Sequence, residues 1–214
     1  MPHKVSGIEV LSQLDENQYP VMEHFYTIQG EGHHSGKAAY FIRLAGCDVG
    51  CVWCDVKESW DIHKDQIFTA EDLKNEISSF SSDMVVITGG EPLMHDLTSL
   101  TCSLKSINKK IHIETSGAHP LSGDLDWITL SPKKFASPLE EVIEIANELK
   151  VIIFNKSDFE WAEQFAEQVP KSCYLYLQPE WGKRNEMMPL IVDYVKTNPK
   201  WNISLQSHKY LNVP

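Results

Sequence analysis

Short apolar runs alternate with amphipathic stretches along most of this 214-residue chain. The run AYFIRLAG at 39–46 predicts a strand. A helix is expected over 69–80, where Thr69 can cap the first turn, two acids follow, and Leu73, Ile77 and Phe80 share a face. MVVIT at 84–88 predicts a buried strand, and Leu97, Leu100, Leu104 and Ile107 predict a helix over 97–107. Strands follow at 111–115 and 126–131, joined by SGAHPLSGDL, a segment too short and too rich in Gly and Pro for a helix. Ser137 as a cap and Pro138 at the first helical position predict a helix over 137–149. Then come a strand at 150–154, a helix at 158–169, a strand at 173–178, a helix at 186–197 and a strand at 201–206.

Strands that alternate with helices imply βαβ crossovers and a largely parallel sheet. About seven core strands are counted, one crossover lacks its helix, and residues 8–38 form a distinct N-terminal extension. A closed eightfold barrel needs roughly 250 residues. The expectation is therefore an α/β fold, an open, partial parallel β/α barrel, in a single domain over 1–214. Composition is ordinary for a globular chain, with 42% hydrophobic and 23% charged residues. The net charge of −11 disfavours a phosphate backbone, so no nucleic-acid partner is expected. No apolar run approaches the ~18 residues of a membrane span, so no membrane partner is expected either. Five cysteines, three of them tightly clustered, suit a reducing, cytoplasmic compartment better than a disulfide scaffold.

The residues with chemical character fall just after strands. A cysteine loop follows the first, TGGEP (88–92) the second and ETSG (114–117) the third; SPKK (131–134), NKSD (155–158), QPEW (178–181) and QSHK (206–209) continue the series. In parallel α/β folds the C-terminal strand ends form one face, and that face carries the site.

The cysteine loop reads GCDVGCVWCD at 46–55, so Cys47, Cys51 and Cys54 stand on C-x3-C-x2-C spacing. An iron–sulfur cluster normally takes four cysteines. Cys102 and Cys173 lie on an expected helix and strand and read as small core residues. Three readings stay open on spacing alone: a cluster with one iron lacking a protein ligand, a structural zinc site that His63 could complete, and three unrelated thiols. In TGGEP, two glycines at a strand end let backbone approach a ligand closely.

Together, the cysteine triplet with its aromatic Trp53 and the TGGEP segment resemble the radical S-adenosylmethionine (SAM) superfamily. Within it, YTIQGEG (26–32), AAYFIRLAGC (38–47), CVWCD (51–55), IETSG (113–117), LSPK (130–133), YLQPEW (176–181) and SLQSHKYLNVP (204–214) resemble the 7-carboxy-7-deazaguanine synthase family, from about residue 20 to the last. That resemblance implies a carbon–nitrogen lyase of queuosine and other 7-deazapurine biosynthesis. Its substrate would be 6-carboxy-5,6,7,8-tetrahydropterin and its product 7-carboxy-7-deazaguanine, with loss of ammonia. One-electron cleavage of SAM would give a deoxyadenosyl radical that takes hydrogen from C6 of the pterin, and SAM would be regenerated.

The resemblance also implies roles. Cys47, Cys51 and Cys54 would hold a 4Fe–4S cluster. The SAM pocket would be built from Trp53, Cys54, Asp55, Gly90, Glu91, Glu114 and Thr115, then Ser131, Pro132 and Lys133, then Gln178, Pro179, Glu180 and Trp181. Ile28, Gln29, Gly30, Arg43, Thr88, His208 and Pro214 would face the substrate, Arg43 pairing with its carboxylate and Pro214 through a terminal carboxylate. Mg²⁺ would sit near Asp55 and Val56, but the family often has Thr or Ser where this chain has Val56, which carries no side-chain oxygen. A flavodoxin- or ferredoxin-type electron donor and a homodimer are implied as well. Structural readings stand beside these: an ion pair for Arg43, a helix cap for Glu91, a solvated tail for His208 and Lys209. Two other functions fit the triplet alone, namely an activating enzyme that places a glycyl radical on a protein partner and a zinc-bearing binding module.

Overall fold

The computed structural model describes residues 5–214. Its strands are β1 (Gln18–Ile28), β2 (Ala38–Leu44), β3 (Ile67–Thr69), β4 (Met84–Gly89), β5 (Lys110–Thr115), β6 (Trp127–Leu130), β7 (Glu148–Ile153), β8 (Tyr174–Pro179) and β9 (Trp201–Ile203). They form one sheet in the order β3-β1-β2-β4-β5-β6-β7-β8-β9. From β2 to β9 every pairing is parallel, and β1 and β3 add an antiparallel edge. The seven parallel strands are the seven core strands expected, and β5 passes to β6 without a helix. The α-helices are α1 (Ala70–Ile77), α2 (Thr98–Lys105), α3 (Glu140–Ile143), α4 (Ser157–Ala166), α5 (Arg184–Thr197) and α6 (Ser207–Leu211). Among the described residues no helix is long and apolar enough to cross a membrane.

The two faces of the sheet follow the two-residue period of its strands. Tyr40, Ile42 and Leu44 of β2 and Leu149, Val151 and Ile153 of β7 join the main core with Leu73, Ile77, Leu100 and Leu104 from α1 and α2. The alternate residues, Phe41 and Arg43 of β2 and Lys150 and Ile152 of β7, line a cavity. Helix α1 begins on a capping box: the Thr69 hydroxyl accepts from the Asp72 N–H, and the Asp72 carboxylate accepts from the Thr69 N–H.

Three expectations need correction, and strand β1 is not among those expected. The extension at 8–38 contains the full strand β1, whose alternation is broken by a register shift between Val21 and Glu23. The helix expected over 137–149 shrinks to α3, with Ser137 and Pro138 outside it and residues 148–149 already in β7. Here Asn147 ends the helical path by clamping β6: its N–H donates to the Ile128 carbonyl and its side chain accepts from the Ile128 N–H. Strand β9 stops at Ile203, where Ser204 turns inward to Gln178. Cys102 is exposed rather than a core residue, because it lies two positions from Leu100 and thus across the helix from it.

Candidate functional site

The C-terminal strand ends open onto one cavity of about 430 Å³, a size ordinary for small-molecule sites. Every expected site residue except Pro132 lines it. Pro132 lies between two lining residues, Ser131 and Lys133.

Cys47 and Cys51 are buried and Cys54 is half-buried. They lie in an apolar nest with Val49, Trp53, Trp60 and Ala136. The Trp60 indole N–H donates to Cys54 Sγ at 3.3 Å. Burial pushes the Cys47 and Cys51 thiols up to about 11. Thiolates therefore form here only against a compensating positive centre. Three soft sulfurs from one loop, in an apolar lining that opens on a cavity, suit a cluster whose remaining position faces a ligand. Among the described residues no set of three or more His, Cys, Asp or Glu side chains closes on a single metal ion.

The loop is docked onto the end of β4. A Cβ on Gly89 would lie 2.2 Å from the Leu44 carbonyl oxygen, and one on Gly90 2.3 Å from that of Gly46. Only glycine permits this approach, through which the Gly90 and Glu91 N–H groups donate to the Leu44 and Gly46 carbonyls at 2.9 Å. Glu91 is buried, and both its carboxylate oxygens are taken. One accepts from the Leu93 N–H (3.1 Å) and the Thr115 hydroxyl, the other from the Ser116 N–H (2.8 Å) and hydroxyl. This side chain organises the loop and caps the turn at Leu93, as its structural reading expected. Glu180 is likewise committed, accepting from the Gly182 and Lys183 N–H groups at 2.9 Å.

Another part of the cavity lining is polar. Arg43 Nε donates to Glu23 Oε1 at 2.7 Å, which is the ion pair expected of a structural arginine. Arg43 lines the cavity, and its terminal Nη nitrogens make no hydrogen bond to the described residues, so they remain available. Thr88 is its register partner on β4. Gln29 donates to Glu114 Oε1 (2.9 Å) and accepts from the Glu31 N–H (3.0 Å). Near the cysteines, the Lys133 ammonium donates to the Ser131 carbonyl and hydroxyl at 2.6 Å and lies 5.8 Å from the Trp53 ring centre. Burial pushes that ammonium below its usual value, with Cys51 opposing the shift.

The same lining holds a charged cluster of which the sequence reading named only Glu114. Lys150 is buried and pairs with Glu31 and, at 3.3 Å, with Glu114. Burial alone would push Lys150 down, but Glu114, Glu31 and Glu148 hold it well above its usual value. Burial raises Glu31 too, yet Lys150 outweighs it and keeps Glu31 below the usual carboxyl range. For Glu148 burial outweighs the pull of Lys150 and pushes the carboxyl up to about 7. The available signal was charge at 148 and 150, two residues apart in an otherwise apolar strand. Below it His33, His34, His112, Trp127 and Tyr174 form an aromatic plug.

The C-terminal segment crosses the cavity mouth. The Ser207 N–H and hydroxyl both donate to the Gly30 carbonyl at 2.9 Å. His208 packs so closely that a Cβ on Gly30 would lie 2.2 Å from its Nδ1. Lys209 lies 2.9 Å from Asp55 Oδ2 and 4.8 Å from the Trp181 ring centre, so it is not a solvated tail residue. Thr27 donates to the Pro214 carbonyl oxygen at 3.2 Å.

Comparison with known proteins gives a consistent answer. Residues 41–155 match the model of the Radical SAM superfamily. The chain is 58% identical over 197 residues to the 7-carboxy-7-deazaguanine synthase of Flavobacterium psychrophilum, covering 91% of this chain and 92% of that one. It is 36% identical to the enzyme of the same name from Escherichia coli, covering 92% and 99%. The crystal structure of QueE from Escherichia coli superposes with a TM-score of 0.81 at 33% identity, over 89% of this chain and 95% of that one.

Proposed function

The chain belongs to the 7-carboxy-7-deazaguanine synthase family of the radical SAM superfamily, and from that premise we propose how its cavity works. It is a carbon–nitrogen lyase of queuosine and 7-deazapurine biosynthesis, converting 6-carboxy-5,6,7,8-tetrahydropterin to 7-carboxy-7-deazaguanine and ammonia. Product plus ammonia equals substrate atom for atom, so no net oxidant is needed and SAM can be regenerated. One observation carries the reading: the cysteine nest and the Arg43 wall open onto the same cavity.

Superfamily membership brings a 4Fe–4S cluster and SAM as cofactors. Cys47, Cys51 and Cys54 would hold the cluster. Held there together with SAM, the cluster would supply one-electron radical chemistry. The chain's own residues do the binding and orienting. Gly90 presents backbone to SAM, while Glu91, saturated by Thr115 and Ser116, fixes that backbone. Trp53, Asp55, Ser131, Lys133, Gln178, Pro179 and Trp181 form the remaining SAM wall, with Pro132 between Ser131 and Lys133 and Glu180 shaping the turn after Pro179. Arg43 would take the substrate carboxylate on its free Nη pair, a planar fork matched to a planar anion. Ile28, Gln29, Gly30 and Thr88 line the substrate side, Glu114 bridges it to Lys150, and His208 and Pro214 close it from the tail.

The whole acts as one domain. A flavodoxin- or ferredoxin-type donor, a cytoplasmic homodimer and a cluster reached past the exposed Val52 complete the proposal. The test is anaerobic reconstitution with iron and sulfide, then reductant, SAM and the carboxytetrahydropterin. The expected outcome is the deazaguanine acid in many turnovers per SAM. Cleavage of SAM with no such product would overturn the reading.

A further inference from the structure

A divalent cation beside Asp55 and Val56, which the family resemblance implies, does not fit the residues present. Val56 brings no side-chain oxygen, and its carbonyl already accepts from the Ser59 hydroxyl at 2.7 Å and the Ser59 N–H at 3.2 Å. Asp55 Oδ2 is occupied by the Lys209 ammonium at 2.9 Å and by Gln206 Nε2 at 3.3 Å. Mg²⁺ demands a near-ideal octahedron of oxygens, several of them waters, and here an ammonium already paired with the one nearby carboxylate competes with it directly.

A cation is nevertheless already in place. Lys209 Nζ is fixed by Asp55, by Gln206 Oε1 at 3.1 Å and by the face of Trp181 at 4.8 Å. It lines the cavity, on a segment pinned to Gly30 by both hydrogen-bonding groups of Ser207. An ammonium carries three N–H donors, and two are used by Asp55 and Gln206. The third is left for an oxygen brought into the cavity. Such an oxygen needs the cation: the lining carries Glu23, Glu31, Asp55, Glu91, Glu114 and Glu180 against only Arg43, Lys133, Lys150 and Lys209.

We propose that in this chain the Lys209 ammonium takes the position of the divalent cation, binding an anionic oxygen of the substrate, so that turnover requires no Mg²⁺. The inference rests on the synthase reading of the cavity.

The test has an arm that does not depend on turnover. Cluster-loaded protein with substrate is titrated with Mn²⁺, a paramagnetic surrogate for Mg²⁺, and bound ion is counted by electron paramagnetic resonance. The wild type should bind none stoichiometrically, and the double variant Val56→Thr/Lys209→Met should bind about one ion per chain. In the turnover arm, chelation should leave the wild-type rate unchanged. Lys209→Met should raise KM by about tenfold or more, the worth of a hydrogen bond to a charged group, while kcat changes less and Lys209→Arg recovers most of the loss. Stoichiometric Mn²⁺ on the wild type, or a rate that collapses on chelation and returns with Mg²⁺, would overturn the proposal. If no product forms under any condition the synthase reading falls, and the Mn²⁺ count still decides this one.

Discussion

Replacing Lys150 by Met removes a buried cation and leaves its carboxylates in place. The Lys150 side chain is 5% exposed and its partners Glu31 and Glu114 are 14% and 21% exposed, so solvent cannot substitute for the ammonium. Breaking a buried ion pair from one side costs about 3–5 kcal/mol, because an uncompensated charge remains. For a chain of this size that is a fall in Tm of roughly 6–20 °C, at about 2–4 °C per kcal/mol. The pH dependence separates this cause from lost packing. Glu31 has its carboxyl held below its ordinary value of 4.5 by Lys150, so that contribution is present above about pH 4.5 and is lost as pH falls through the folded-state value. Urea unfolding of wild type and Lys150→Met at neutral and acid pH measures both quantities. The gap should be largest near pH 7 and shrink in acid. A gap below about 1 kcal/mol at pH 7, or one that is unchanged in acid, would refute the assignment of Lys150 as the charge that holds Glu31 and Glu114 under the cavity.

Glu148 should act in the opposite sense. Its carboxyl is raised from 4.5 to about 7, so its favourable contribution is full below pH 4.5 and lost as pH rises through 7. Glu148→Gln should therefore flatten the stability–pH curve and exceed the wild type at pH 8 by up to about 3 kcal/mol, read by urea unfolding; an equal or weaker variant at pH 8 contradicts it. Arg43→Lys keeps the charge but loses the fork, so KM for the pterin should rise roughly tenfold or more with iron content unchanged, and an unaltered KM contradicts the carboxylate assignment. Gly30→Ala would push a methyl to 2.2 Å from His208 Nδ1 and should lift the tail, exposing Lys209 to trypsin; an unchanged cleavage rate contradicts the docking.

The parallel half of the fold was legible because its strands bury one face against helices, so apolar runs such as MVVIT and LKVII stand out. Strand β1 was not, since the register shift between Val21 and Glu23 breaks its period and Glu23 and Phe25 face the cavity. The cysteine loop and the strand-end segments were readable as a set, because their residue types already differ from a core. What each side chain does was less readable. Glu180 looks like a ligand by type, and only its hydrogen bonds reveal that backbone N–H groups consume it, while the cap read for Glu91 held no sign of the Thr115 and Ser116 hydroxyls that fill the rest of its carboxylate. Glu31, Lys150 and Lys209 depend on partners 119 and 154 residues away, which no local pattern records.

The central claim is that three cysteines leave one iron open to SAM on the same cavity that Arg43 lines. Electron–nuclear double resonance of the reduced cluster with SAM labelled by ¹⁵N at its amino group tests it directly. A ¹⁵N coupling of a directly bound nitrogen, abolished in Cys51→Ala, is the predicted result. Bound SAM with no such coupling, or a cluster that survives the loss of Cys51, would contradict the account.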